Sequence, residues 1–220
     1  MPARFRDRID AGRRLADALR EFRGPQTIVL GLPRGGVPVA RQVADALGAP
    51  LDVLAVRKLG GPRHPEFAVG AIGETGVRLV DPEAVHLTRL GADELASVEE
   101  SERLELARRL RLYRDGRERL DLDGQRVIVV DDGVATGATA AVACRVARRL
   151  GAAEVVLAVP VAPHDWESQL AGEADRLVAV MTPRDFWAVG QWYENFAQTT
   201  DDEVVALLAG RNPQNRGHDR

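Results

Sequence analysis

Four short runs of Val, Ile, Leu and Ala each lead into a turn or a helical pattern: TIVLGL at 27–32, LDVLAV at 51–56, VIVVDD at 127–132 and VVLAVPV at 155–161. Continuous apolar runs of this length suit strands covered on both faces, as in parallel sheets. RLVAVM at 176–181 is a fifth candidate. Between the first two runs, VPVARQVADALG carries apolar residues at helical spacing and ends at Gly48, just as ATAAVACRVARRLG after the third ends at Gly151. This alternation predicts an α/β fold built on a doubly wound, mainly parallel sheet flanked by helices. Ligands in such folds sit beyond the carboxyl ends of the strands, so the loops that follow the strands carry the functional expectation.

A chain of 220 residues predicts one domain over 1–220, with its core at about 25–181 and a polar tail at 210–220. Thirty basic against 33 acidic residues leave a formal charge of −3, which gives no footing for a nucleic-acid partner. The single cysteine, Cys144, lies in an alanine-rich helical pattern and reads as a small buried hydrophobe. No apolar run reaches signal-peptide or membrane-spanning length, so a soluble cytoplasmic protein without a membrane partner is expected. Residues 92–119 repeat Glu and Arg at neighbouring-turn spacing, the pattern of a solvated helix laced with surface ion pairs.

The segment VIVVDDGVATGAT at 127–139 joins a buried strand to a helix through two adjacent carboxylates, Asp131 and Asp132, and a glycine-bearing loop. Backbone N–H groups of such a loop, with the following helix N-terminus, make a concavity suited to phosphate, and the hydroxyls of Thr136 and Thr139 add donors. The carboxylates can accept hydrogen bonds from vicinal ribose hydroxyls and hold a hydrated divalent cation. Each half alone is common: glycine turns open many helices, and paired aspartates can cap them. The P-loop and dinucleotide spacings are absent.

Taken whole, four apolar residues, two acidic ones, three variable ones and then T-G-A-T, the string closely resembles the signature of type I phosphoribosyltransferases. The resemblance covers most of 25–205. It implies transfer of the 5-phosphoribosyl group from 5-phosphoribosyl 1-diphosphate to a nitrogenous base or related acceptor, with Mg2+ as cofactor. It puts the ribose hydroxyls on Asp131 and Asp132, which would also hold the metal through water. The 5′-phosphate falls to Ala135, Thr136, Gly137, Ala138 and Thr139. GLPRGGVPVA after the first strand matches the diphosphate loop, with Arg34, Gly35 and Gly36 as contacts, and the family's non-proline cis peptide would correspond to Arg34–Gly35.

RKLGGPRHPEFAVGAIGE at 57–74 combines Arg57, Lys58, Arg63 and His64 with glycines and prolines. It stands where the family has a flexible catalytic loop, so a mobile lid is expected, with Arg57 and Lys58 supplying charge to the departing diphosphate. The stretch 182–204 holds five of the chain's ten aromatics. Such clustering fits a small packed subdomain, and it also resembles the family's hood, here about 182–205 with help from the N-terminal segment. Phe186, Trp187 and Tyr193 would then stack on the acceptor. Ala135 occupies the place where 6-oxopurine enzymes carry an aspartate, which makes hypoxanthine or guanine a poor match. The acceptor stays open, as does a homodimer. A phosphoribosyl-diphosphate sensor of the same fold without catalysis is the rival reading.

Overall fold

The computed structural model describes residues 4–61 and 64–210, with the backbone course alone for 64–68. The elements run, in chain order, α1 (Arg8–Ala18), β1 (Thr27–Gly31), α2 (Gly36–Leu47), β2 (Leu51–Val53), β3 (Val56–Gly61), β4 (His64–Gly73), β5 (Arg78–Val80), α3 (Pro82–Thr88), α4 (Ala92–Arg114), β6 (Arg126–Val130), α5 (Ala138–Arg149), β7 (Glu154–Val161), α6 (Trp166–Gln169), β8 (Arg176–Met181) and α7 (Asp201–Leu208).

Strands β2-β1-β6-β7-β8 form the expected parallel sheet, in that order. Alternate residues of each strand feed opposite faces. Leu15 of α1 and Leu19 just after it, with Val39 and Val43 of α2, cover Val29, Ile128, Val130 and Val156. On the other face, Val142 and Val146 of α5 cover Ile28, Leu30, Val127, Val129 and Leu157. Because both faces are dry, the strands show no polar alternation. The chain leaves β1 towards one edge and β6 towards the other, so the crevice between them is the switch point of the sheet. Gly31 pairs with Val130 at that crevice, which sets the ends of the two strands level.

Three expectations are corrected. LDVLAV is not one strand: β2 stops at Val53, and the chain turns through Leu54 and Ala55 into β3, the Ala55 N–H donating to Glu74 Oε1 at 3.1 Å. The lid segment 57–74 is not an open loop. Its residues 57–61 and 64–73 lie in β3 and β4, which with β5 form a separate antiparallel sheet. Glycines obscured its strand pattern, yet Leu59, Val69 and Ile72 are buried in a cluster with Ala84 and Leu90, which gives the hairpin its own small core. Arg63, the side chain of His64 and the tail 211–220 lie outside the described residues. The helix expected over 92–119 ends at Arg114, where Asp115 turns left-handed. It carries the foreseen pairs, Arg103 with Glu99 at 2.6 Å and Arg109 with Glu105 at 2.7 Å. It is nonetheless docked rather than wholly solvated: Leu106 and Tyr113 are buried, and Arg114 reaches the buried Glu74 at 3.0 Å.

Candidate active site

β6 ends on Asp131 and Asp132, and Leu32, just past β1, donates its N–H to the Val130 carbonyl at 2.8 Å. The loop 33–36 is thereby held against the acidic pair. A Cβ on Gly35 would stand 2.0 Å from Asp132 Oδ2, and one on Gly36 would stand 2.6 Å from the Val130 carbonyl oxygen. Only residues without a Cβ let the two loops approach this closely. The non-proline cis peptide falls at Pro33–Arg34, one bond before the position expected from the resemblance. Gly35 already has helical dihedrals as the N-cap of α2, so the reversal of the chain is complete before it.

The acidic pair is asymmetric. Asp131 Oδ1 accepts from the Asp132 N–H at 2.9 Å. Asp132 Oδ2 accepts from Arg8 Nε at 2.8 Å and is ion-paired with Arg8 Nη2, also at 2.8 Å. Arg8 is itself fixed: its Nη1 donates to the Ala197 carbonyl at 2.6 Å, and its guanidinium lies 4.0 Å over the Phe196 ring. Burial raises both carboxyls above their ordinary values. For Asp131 the charge of Asp132 adds to burial, and the shift is large although the Asp132 N–H, Arg8 and Lys58 oppose it. For Asp132, burial prevails over the charge and hydrogen bonds of Arg8. The Asp132 side chain nevertheless keeps 14% exposure, so a ligand can reach it.

A cavity of about 240 Å³ opens on the pair and is lined by Lys58, Asp131, Asp132, Ala135, Thr136 and Thr139, among others. Gly137 takes a left-handed φ of 75° as the N-cap of α5. The first N–H to turn back into the helix is that of Ala141, to the Gly137 carbonyl at 2.8 Å. The N–H groups of Ala138, Thr139 and Ala140 therefore emerge at the helix end, next to the exposed Ala135 and Thr136. Lys58 shares this cavity, whereas Arg57, on the opposite face of β3, pairs with Glu102 of α4 at 2.6 Å. Arg34 stands on the far side of its loop, 3.9 Å from Asp201 Oδ1, which also accepts from Tyr113 Oη at 2.7 Å.

The hood aromatics do not converge. Tyr193 is 4% exposed and packs on Phe5 and Phe196. Its hydroxyl donates to the Asp132 carbonyl at 2.6 Å. Phe186 packs in the same cluster, half-buried, while Trp187 is 89% exposed. Phe5 bridges to Tyr193, so the N-terminal segment and the hood share one core. Arg8 is the site residue that sequence reasoning missed. It sits in an arginine-rich amphipathic helix with no local signal to single it out.

The chain belongs to the phosphoribosyl transferase domain family, whose sequence profile matches residues 6–192. It is 56% identical over 204 residues to proteins of Mycobacterium tuberculosis strains CDC 1551 and H37Rv, each named "Putative phosphoribosyl transferase". That match covers 93% of this chain but 46% of each relative, so the chain spans about half the length of the curated relatives it matches. The crystal structure of TT1426 from Thermus thermophilus is similar over 95% of this chain and 99% of its own, with 43% identity and a TM-score of 0.79. A hypothetical protein from Neisseria gonorrhoeae, solved with bound ppGpp, shares the fold at 16% identity and a TM-score of 0.50, over 93% of each chain. Among the described residues no helix is long and apolar enough to cross a membrane.

Proposed function

We propose that this protein transfers the 5-phosphoribosyl group of 5-phosphoribosyl 1-diphosphate to a nitrogenous base or related acceptor, releasing diphosphate. The carrying observation is the level register of Gly31 with Val130 at the switch point, which brings the acidic pair, the helix-opening loop and the Arg34–Gly36 turn to one sheet end. A ribose 5-phosphate with a diphosphate on its anomeric carbon needs those three things together. In this reading Asp131 and Asp132 hold the ribose hydroxyls, the loop 135–139 takes the 5′-phosphate, and the Arg34–Gly36 turn takes the diphosphate, with the Gly36 N–H given to the Leu32 carbonyl at 2.9 Å to brace that turn. Lys58 supplies charge to the leaving group, and Arg57 holds the hairpin to α4.

The donor set suits a magnesium ion held mainly by substrate and water. Asp131 Oδ1 and Asp132 Oδ2 already accept protein hydrogen bonds, which leaves one oxygen on each carboxylate uncommitted among the described residues. Among the described residues no group of three or more acidic, His or Cys side chains could form a protein cage. Bound there, the ion would neutralise developing diphosphate charge. The residues themselves orient the sugar and screen the anomeric carbon, and catalysis rests on positioning and electrostatics rather than acid–base chemistry. The exposed Trp187 offers an acceptor face at the hood.

Diphosphate release from 5-phosphoribosyl 1-diphosphate and Mg2+ with a panel of bases tests the reading. Release with one base, and a rise in that base's KM in Trp187→Ala at unchanged 5-phosphoribosyl 1-diphosphate KM, is expected. Binding of the diphosphate sugar without release with any acceptor would move the assignment to a sensor.

A further inference from the structure

After β2 the chain leaves the parallel sheet, builds β3, β4, β5, α3 and α4, and returns through 115–125 to β6. Departure and return are tied at a buried ion cluster. Arg114, the last residue of α4, donates from Nη1 to Glu74 Oε2 at 3.0 Å, and from Nη2 to Glu74 Oε1 and to the Val53 carbonyl, each at 3.2 Å. Its Nε stands 3.5 Å from Asp52 Oδ2, an ion pair without a hydrogen bond. Asp52 also accepts from the Val53 N–H at 2.8 Å and, from the returning segment, the Leu120 N–H at 3.3 Å. Both carboxylates are buried. Asp52 belongs to the parallel sheet and Glu74 follows the last residue of β4, so one guanidinium holds the two sheets together.

This cluster sits at the root of the β3–β4 hairpin. Ala55, whose N–H goes to Glu74 Oε1, immediately precedes β3, and Val56 opposite Gly73 is the first pair of the ladder. Lys58, opposite Ala71, is the next residue on the same face of β3 as Val56, about 7 Å along the strand. Lys58 lines the cavity that opens on the acidic pair. Apolar packing holds the root as well: Gly73 lies against Val142 and Val146 of α5, in the cluster that contains Leu54, Ala71 and Val77. Apolar contacts are non-directional. Buried ion pairs add little net stability over apolar packing but demand a fixed geometry of donors and acceptors. The cluster therefore bears on where the hairpin stands more than on whether it packs.

We infer that Arg114 is a positioning residue: by clamping Glu74 to Asp52 it sets where the β3–β4 hairpin stands on the parallel sheet, and with it the placement of Lys58 beside the acidic pair. That this placement governs turnover rests on the proposed function; the placement itself does not.

Arg114→Lys and Glu74→Gln keep most of the bulk of the cluster and remove its paired charged hydrogen bonds. Crystal structures of the two variants, superposed on the parallel sheet, are expected to show Lys58 Cα displaced by about 1 Å, a shift that costs up to about 100-fold when it moves a catalytic group. In each variant kcat falls about tenfold while KM for 5-phosphoribosyl 1-diphosphate changes little, because charge beside a leaving group acts in the transition state. In a Lys58→Met background neither substitution lowers kcat further, as two changes acting through one group are not additive. An unmoved Lys58 in both variants overturns the inference, and so does a fall in kcat as large in the Lys58→Met background as in the wild type. A wild type that releases no diphosphate with any acceptor overturns the proposed function instead, and the crystallographic comparison then decides the positioning alone.

Discussion

Arg8 Nε and Nη2 both end on one oxygen of Asp132, across 124 positions of sequence. The contact joins the first helix to the loop at the centre of the sheet, and Asp132 still lines the cavity there. Arg8→Met removes the partner and leaves a carboxylate in a poorly hydrated place. Lost charge-assisted hydrogen bonds of this kind cost about 1.5–3 kcal/mol, so affinity for Mg2+ and phosphoribosyl diphosphate should fall about 10- to 100-fold in calorimetry. Arg8→Lys should recover part of the charge but not the two-pronged geometry.

Asp131 presents the opposite case. Its carboxyl titrates well above the ordinary 3.8, so the native state holds the proton more tightly than the unfolded chain does. Stability from this group is fully present below 3.8 and is lost as pH rises through the native value. Asp131→Asn should therefore raise Tm at neutral pH, by roughly 2–4 °C if the gain is about 1 kcal/mol, while abolishing phosphoribosyl-diphosphate binding. At acidic pH, where the wild-type carboxyl is protonated, thermal melts of the two proteins should converge.

Gly36 has no room to change. An added Cβ would meet the Val130 carbonyl oxygen at 2.6 Å and Asp131 Cα at 2.8 Å, both backbone atoms. Overpacking of this sort costs about 1–3 kcal/mol, so Gly36→Ala should lower the denaturant midpoint measurably. Gly35→Ala meets a side-chain oxygen instead, at 2.0 Å. It should show a milder stability loss and a larger loss of ligand affinity, because Asp132 must swing away.

The neighbouring cations of β3 should part in kinetics. Lys58→Met should lower kcat/KM for phosphoribosyl diphosphate by about tenfold or more, since charge next to a leaving diphosphate acts in the transition state. Arg57→Met should mainly loosen the hairpin from α4, with a stability loss within about 1 kcal/mol, as expected for a partly exposed ion pair. Equal losses of kcat/KM in the two variants would place Arg57 on the substrate as well.

The parallel strands were legible because burial on both faces writes a continuous apolar run into five to eight consecutive residues. The β3–β4 hairpin was not. Its glycines resemble loop chemistry, and it becomes a sheet only by pairing with β5 and packing under Leu90. Tyr193 and Trp187 illustrate the same limit: aromatic clustering announced a subdomain, yet whether a ring stacks on Phe5 or stands in solvent depends on residues far along the chain.

By itself the sequence determined the doubly wound sheet and the two glycine loops at its ends, because those depend on periodicity and on backbone freedom within a dozen residues. Only the tertiary structure decided that Arg8 holds Asp132, that Lys58 and Arg57 face opposite ways, and that the Tyr193 hydroxyl serves the Asp132 carbonyl. Such contacts join positions up to 124 apart, and no local pattern encodes which side chains the packing of a helix onto a sheet will bring together.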